Sequence, residues 1–424
     1  MKIAIFGGAG TIGGNQILVK TGKAAFWLDM GPPGLYEFNF FERQMFRSRT
    51  AEELGKRGML PIRELKATAS EGAINLLISH AHIDHYGGLQ YHKAWRELGL
   101  QARLFAPDDL RTVLFATIKA SNLPRAIINE ILTPYSLDEA EAWNFKVTAI
   151  PVDHSIDSAY AYLCETDEGM IAYTGDLRFH EKSVDELAKK IAGVDVLVTE
   201  ATRTVNYSPI TEGDVGREVS KLIQIYKMPI FIMGLKTYTK NVKTIISAIG
   251  KSRFIVVEPS IAYELFASDP SLVESLYVLK TGKDIERELP DDTKYYTIQE
   301  INDNHDVVAL ILRSIDRTLL IRGRTRSAIE VRDGDVAIAN VSEAYDEVST
   351  ASIWQLNDYF NNELGIPIYH LHPSGHARID EIKQLIETAQ PKMTIVVHSK
   401  YPKVLQKLVK ARVEAPTEPT TIEF

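Results

Sequence analysis

The chain is 424 residues long, 45% hydrophobic, and carries a formal net charge of −8. That length supports two packed cores, and the acidic balance gives no support for a globally nucleic-acid-binding surface, while a local basic track or a bound cation that reverses the field stays open. The single cysteine, Cys164, excludes an internal disulfide and reads as a core packing residue in a reducing compartment; with neither signal peptide nor apolar span, the expectation is a soluble cytoplasmic protein without a membrane partner.

The start, Lys2-Ile3-Ala4-Ile5-Phe6, predicts a strand. After it, Gly8-Ala9-Gly10-Thr11-Ile12-Gly13 satisfies the G-x-G-x-x-G pattern of dinucleotide-binding loops, with Asp29 downstream where a ribose-binding acid would stand. That reading needs a helix next, yet Gln16–Lys20 and Ala24–Asp29 are both β-rich and separated by Thr21-Gly22-Lys23. A hairpin is therefore predicted, with the glycines as a tight connection between strands. Between residues 32 and 69 the chain interleaves aromatics and cations, among them Tyr36, Phe38, Phe40, Phe41, Arg43, Phe46, Arg47, Arg49, Lys56, Arg57 and Arg63. Such a segment can stack bases and neutralise phosphates, or it can be a helical insertion with a packed aromatic face.

The apolar run Ala73–Ile78 predicts a buried strand that delivers His80-Ala81-His82-Ile83-Asp84-His85 onto a loop. Three imidazoles and a carboxylate within six positions make a metal-site expectation, since His80 and His82 can point one way while Asp84 and His85 turn to a second side. Nitrogen and oxygen donors without thiolate suit zinc, and also manganese or iron. Strands and helices then alternate, as in a layered α/β protein, with helices expected at Gln90–Leu98 and Asp108–Asn122. Strands at Phe145–Val152 and Gly169–Thr174 lead into His154 and Asp176, and the strand Asp195–Thr199 leads into Glu200. Several strand ends that each deliver a potential ligand are hard to explain as unrelated caps.

From about Pro209 to Gly365 a fresh β/α/β pattern without obvious ligands predicts a second domain. The chain then returns to chemistry at Pro367–His372, followed by Pro373-Ser374-Gly375-His376-Ala377, a helix at Asp380–Gln390, and the strand Met393–Val397 ending in His398. A Ser-Gly turn before a helix start can offer a hydroxyl and amides to a phosphate, and His376 beside it could bind that anion or protonate a leaving oxygen. His370 reads as an ordinary strand histidine. The last dozen residues, rich in Pro, Thr and Glu, read as a tail.

In this order, His80-x-His82-x-Asp84-His85, His154, Asp176 and His398 resemble the two-metal site of the metallo-β-lactamase fold. Glu200, His376 within His372-Pro373-Ser374-Gly375-His376-Ala377, and His398 resemble the further motifs of the β-CASP nucleases, with the glycine-rich start and the Ser-Gly-His-Ala run closest to ribonuclease J. The resemblance implies an α/β architecture: an αββα sandwich from residues 1–208 and 366–415, an inserted β-CASP domain at 209–365, and a tail at 416–424. It places His80, His82 and His154 on one metal, Asp84, His85 and His398 on another, and Asp176 between them. The implied cofactors are two divalent ions, zinc first, with manganese or magnesium as alternatives.

The activity so implied is metal-dependent phosphodiester hydrolysis of single-stranded RNA, exo- or endonucleolytic, with Asp84, His376 and Glu200 as catalytic residues and Ser374, Gly375 and His376 as phosphate contacts. DNA, or a small ester or lactone, is the alternative substrate. A homo-oligomer is compatible with the sequence and not specified by it. Some positions depart from the ribonuclease J pattern: Asn340–Asp346 replaces a Pro-Gly-Asn-Glu segment, Gly234–Lys243 replaces a basic loop, and Ser399-Lys400 replaces Gly-Glu. The chain also ends without length for the extra C-terminal domain of bacterial ribonuclease J. These departures touch nucleic-acid grip and 5′-end selection more than metal binding.

Overall fold

Three apolar sheets organise the chain in a computed structural model. It describes residues 1–33, 47–121, 123, 125–204, 210–234, 238–314, 316–323, 325–341 and 347–424. Strands β1 (Lys2–Gly7), β2 (Gln16–Lys20), β3 (Ala25–Met30), β4 (Ala73–Leu77), β5 (Gln101–Phe105) and β6 (Leu132–Tyr135) belong to the first sheet. β1, β2 and β3 pair antiparallel, as the predicted hairpin requires, and β3 to β6 pair parallel. A second sheet takes β7 (Lys146–Pro151), β8 (Tyr160–Thr166), β9 (Gly169–Tyr173) and β10 (Val196–Glu200).

These two sheets lie face to face. Ile3, Ile5, Val19, Phe26 and Leu28 from the first interdigitate with Val147, Tyr162, Cys164, Tyr173 and Val198 from the second, all buried. Trp95, Leu110 and Leu114 cover the outer face of the first sheet, and Leu187, Ile382, Leu385 and Leu405 cover that of the second. Helix, sheet, sheet, helix is thus the layering, and apolar residues on both faces of each sheet are what stabilise it. Cys164 has the packing role read from sequence: it is buried, and burial pushes its thiol well above the usual range.

The third sheet is wholly parallel. It contains β11 (Pro229–Ile232), β12 (Phe254–Val257), β13 (Tyr277–Leu279), β14 (Lys294–Tyr296), β15 (Val308–Leu312), β18 (Val336–Ala339) and β19 (Ile368–His370), in the order β14-β13-β12-β15-β11-β18-β19. The short ladder β16 (Leu320–Arg322) with β17 (Ile329–Val331) stands apart from it. Helices cover both of its faces. One of them, Glu212–Ile225, begins with a capping box in which Thr211 Oγ1 accepts from Asp214 N–H and the Asp214 carboxylate accepts from Thr211 N–H. The strand β20 (Met393–Val397) then returns to the second sheet beside β10, with β21 (Val413–Glu414) outside it.

Two expectations are corrected. The third sheet continues past residue 365, because β19 pairs with β18 in the register Ile338↔Tyr369. The supposed tail is a strand, β22 (Thr420–Glu423), antiparallel to β1 with Ile3 opposite Ile422. Its β-branched run Thr420-Thr421-Ile422 covers an otherwise open sheet edge, which the polar composition around it conceals in sequence. The aromatic and basic positions from Tyr36 to Phe46 lie outside the described residues, as do residues 205–209 at the start of the expected second domain, 235–237 and 342–346. Downstream of 46 the insertion forms two short helices, Ala51–Lys56 and Ile62–Thr68.

Candidate metal centre

The strands that carry the expected ligands all end at one edge of the sandwich. β4 stops at Leu77, and three residues later His80 and then His82 lead into a single helical turn, Ile83–Tyr86, which carries Asp84 and His85. His154 follows β7, Asp176 follows β9, Glu200 closes β10 and His398 follows β20. All of these side chains are buried. His398 takes a left-handed backbone, φ 51°, rare for a residue with a β-carbon and characteristic of functional turns.

Two candidate ligand groups form. Ligand atoms of His80, His82 and His154 lie within 4.8 Å of one another, and so do those of Asp84, His85, Asp176 and His398. His82 Nδ1 faces His80 Nε2 at 3.0 Å and His154 Nε2 at 3.1 Å. The His154 Nδ1–H donates to the Gly375 carbonyl at 2.5 Å, so its Nε2 presents a lone pair toward His82. His80 and His154 are held well below the usual imidazole range, first by burial and then by neighbouring imidazoles, so both are neutral at pH 7. A proton can bridge only one of these nitrogen contacts at a time, whereas a cation accepts all three lone pairs. Asp176 carries one buried oxygen, Oδ1, with no hydrogen-bond partner among the described residues. Donor types, neutral imidazoles and an unsatisfied carboxylate oxygen all fit divalent metal ions.

The second group is strongly charged. His85 is pinned between Asp29 Oδ2 at 2.6 Å on Nδ1 and Asp176 Oδ2 at 3.0 Å on Nε2. Burial alone would depress its pKa, but Asp176 and Asp29 outweigh burial and raise it well above the usual range. Asp176 shows the converse, since burial opposes its ionisation while His398, His85 and His376 win and hold it well below the usual carboxylate range. His398 Nε2 lies 3.3 Å from Asp84 Oδ2 and 3.4 Å from Asp176 Oδ2.

Glu200 connects to two of these histidines. It meets His376 Nδ1 at 3.0 and 3.1 Å, and it is joined at 2.5 Å by Thr202 Oγ1, which also lies 2.8 Å from His398 Nδ1. Glu200 thereby fixes His376 directly and His398 through Thr202. Asp176, Glu200, His376 and His398 form a third group within the same 4.8 Å spread. The Ser-Gly turn is placed differently from a simple phosphate loop. Ser374 Oγ accepts from the His376 amide at 3.2 Å, and the Gly375 carbonyl is the acceptor that orients His154. His370 stays apart on β19, with Nε2 2.7 Å from Asn357 Oδ1.

Sequence reasoning missed Asp29, Thr202, Asp153 and Arg178. Asp29, fully buried at φ 59°, accepts from Ser79 N–H at 2.7 Å, Ser79 Oγ–H at 2.8 Å and Tyr173 O–H at 2.6 Å besides His85. Its signal was an acid closing the apolar strand β3, which the glycine pattern drew toward a ribose-binding reading. That glycine loop also belongs to the site. The Gly8 carbonyl accepts from His398 N–H at 2.8 Å, Gly14 N–H donates to the Asp84 carbonyl at 3.1 Å, and Asn15 Nδ2 donates to Tyr173 Oη at 2.9 Å.

No helix among the described residues is long and apolar enough to cross a membrane. Residues 57–230 match the family described as the Beta-lactamase superfamily domain. Ribonuclease J of Mycoplasma genitalium is 23% identical over 438 residues, covering 94% of this chain and 68% of that protein. Ribonuclease J of Helicobacter pylori is 23% identical, with 95% of this chain and 56% of the other covered, and ribonuclease J of Pyrococcus abyssi is 19% identical, with 95% and 90% covered. A crystal structure of a protein of unknown function from Enterococcus faecalis V583 superposes with a TM-score of 0.73 at 18% identity, covering 99% of both chains. Sandwich, ligand order and relatives agree: the chain has the metallo-β-lactamase fold and is similar to ribonuclease J over most of its length.

Proposed function

We propose that this chain is a two-metal-dependent phosphodiesterase that hydrolyses single-stranded RNA, with its third sheet forming a β-CASP-type domain inserted into the metallo-β-lactamase body. The observation that carries the reading is the convergence of His80, His82, His154, Asp84, His85, Asp176 and His398 on one buried spot, with an oxygen of Asp176 unsatisfied. The names of the relatives supply the substrate class. His80, His82 and His154 would hold one ion, Asp84, His85 and His398 the other, and Asp176 both. When bound, such ions acidify water and neutralise charge that develops on phosphate oxygens. Zinc is the first expectation for this donor set.

The chain's own residues supply orientation and protons. Asp84 borders His398 and is the carboxylate that orients the attacking water. Glu200 accepts the His376 Nδ1–H, which leaves His376 Nε2 as the nitrogen that meets a phosphate oxygen or gives a proton to the leaving oxygen. Ser374 braces the His376 amide, so the turn is held before substrate arrives.

The test is incubation of zinc- or manganese-loaded protein with 5′-monophosphorylated RNA, 5′-triphosphorylated RNA, single-stranded DNA and a lactone. RNA cleavage that stops on chelation is expected, with kcat reduced about 10²- to 10⁴-fold by His376→Ala. Turnover of the lactone alone, or RNA cleavage untouched by Asp84→Ala, would overturn the proposal. Preference for DNA would reassign the substrate.

A further inference from the structure

Behind the His80–His82–His154 group, buried ion pairs run from the sandwich into the module built on the third sheet. Asp153, fully buried, directly precedes His154 in the chain. Its Oδ2 accepts from Arg178 Nε at 3.2 Å and its Oδ1 from Lys240 Nζ at 2.8 Å. Arg178 is fully buried as well and stands two residues after Asp176. Its Nη1 donates to the Ser374 carbonyl at 3.2 Å, and its Nη2 pairs with Glu212. Arg178 thus holds both the residue before His154 and the residue before Gly375, whose carbonyl orients the His154 ring.

Two of these charges come from the other module. Glu212 opens the helix Glu212–Ile225, and Lys240 lies in the first turn of the helix Thr239–Ile249. The start of that helix grips the loop after His154 through its backbone and side chains. Lys240 N–H donates to the Ser155 carbonyl at 3.3 Å, Thr239 Oγ1 accepts from Asp157 N–H at 3.0 Å, and Lys243 Nζ meets Asp157 Oδ2 at 3.0 Å. A ligand histidine is therefore carried on a loop that the sandwich holds from one side and the second module from the other. Removing one member of so buried a set leaves a charge uncompensated, and the loop must shift to rehydrate it.

We propose that Lys240 and Glu212 are positioning residues: docking of the second module, through the network Glu212–Arg178–Asp153–Lys240, sets the placement of His154 and hence metal affinity. This rests on the two-metal reading above. It gives the second module a task at the metal centre itself, besides any contact with substrate. The second module and the metal ligands are then energetically coupled, and anything that loosens the docking also loosens the metal.

The experiment compares the full chain with Lys240→Met, Glu212→Gln, the double variant and Lys240→Arg. Zinc affinity is read by competition with a chromogenic chelator, and the melting temperature is read without metal as the folding control. Lys240→Met is expected to weaken zinc binding about tenfold and to lower kcat in parallel while leaving KM within about twofold, with Lys240→Arg restoring most of the affinity. The double variant is expected to lose less than the product of the two single effects, because both act through Arg178 and Asp153. Variants that melt earlier yet keep zinc affinity and kcat within about twofold of the parent would show a purely structural network and overturn the proposal. A parent protein that takes up no zinc or manganese would instead remove the two-metal reading and this inference with it.

Discussion

His85 shows how one residue's chemistry is set by neighbours that are remote in sequence. Its ring is clamped between Asp29 and Asp176, and Asp29 is itself held by Ser79 and Tyr173. Carboxylates behind a ligand imidazole fix its orientation and raise its basicity, so Asp29 should govern metal retention without touching substrate. Asp29→Asn is expected to lower metal affinity roughly 10- to 100-fold, measured by chelator competition, and to leave the circular dichroism spectrum unchanged. Close packing at the site reaches the glycines too. A β-carbon at Gly375 would meet His154 Cε1 at 2.7 Å, and one at Gly31 would run into the Asp84 carbonyl. These positions accept no side chain because a ligand-bearing segment already occupies the space.

At the scale of elements, the two ends of the chain meet. Met1 N donates to the Phe424 carbonyl at 3.1 Å, Phe424 N–H donates to the Met1 carbonyl at 2.9 Å, and β22 pairs with β1 along four residues. β1 leads directly into the glycine loop that braces His398, so the closing strand supports the candidate metal centre from one element away. Deleting residues 420–424 is expected to cost about 1–3 kcal/mol of stability, read by urea unfolding, since it strips a ladder and exposes an edge. An unchanged unfolding midpoint would show that β22 contributes nothing to the sheet.

Across the whole molecule, the second module also meets the sandwich away from the candidate metal centre. Besides the Lys240 and Glu212 contacts, Lys119 and Arg125 of the sandwich pair with Glu288, and Lys119 Nζ lies 3.3 Å from Tyr263 Oη. The two contacts differ in kind. Glu288 meets partly exposed cations, whereas Asp153 and Arg178 are fully buried beside the candidate ligand His154. Glu288→Gln is therefore expected to cost no more than about 1 kcal/mol and to leave zinc affinity unchanged, in contrast to Lys240→Met. Equal loss of zinc affinity in the two variants would show that any loosening of the modules is felt at the metal.

Legible in the sequence were the α/β alternation and the candidate metal-ligating residues, with the αββα layering implied by the family resemblance. Each ligand closes or follows a short apolar strand, so local pattern and donor chemistry coincide within a few residues, as at Leu77 to His85 or Val397 to His398. The hairpin was legible for the same reason, because β-rich runs on both sides of Thr21-Gly22-Lys23 leave no room for a helix. What only the tertiary structure decided are the groups that act across long separations. Gly375 orients His154 from 221 residues away, and Arg178 reaches Ser374 from 196. The glycine loop, readable as a cofactor cradle, became the brace of His398 and Asp84, and Asp29 became the anchor of His85. No local period marks such residues, because their positions are fixed by which strand ends the fold brings together.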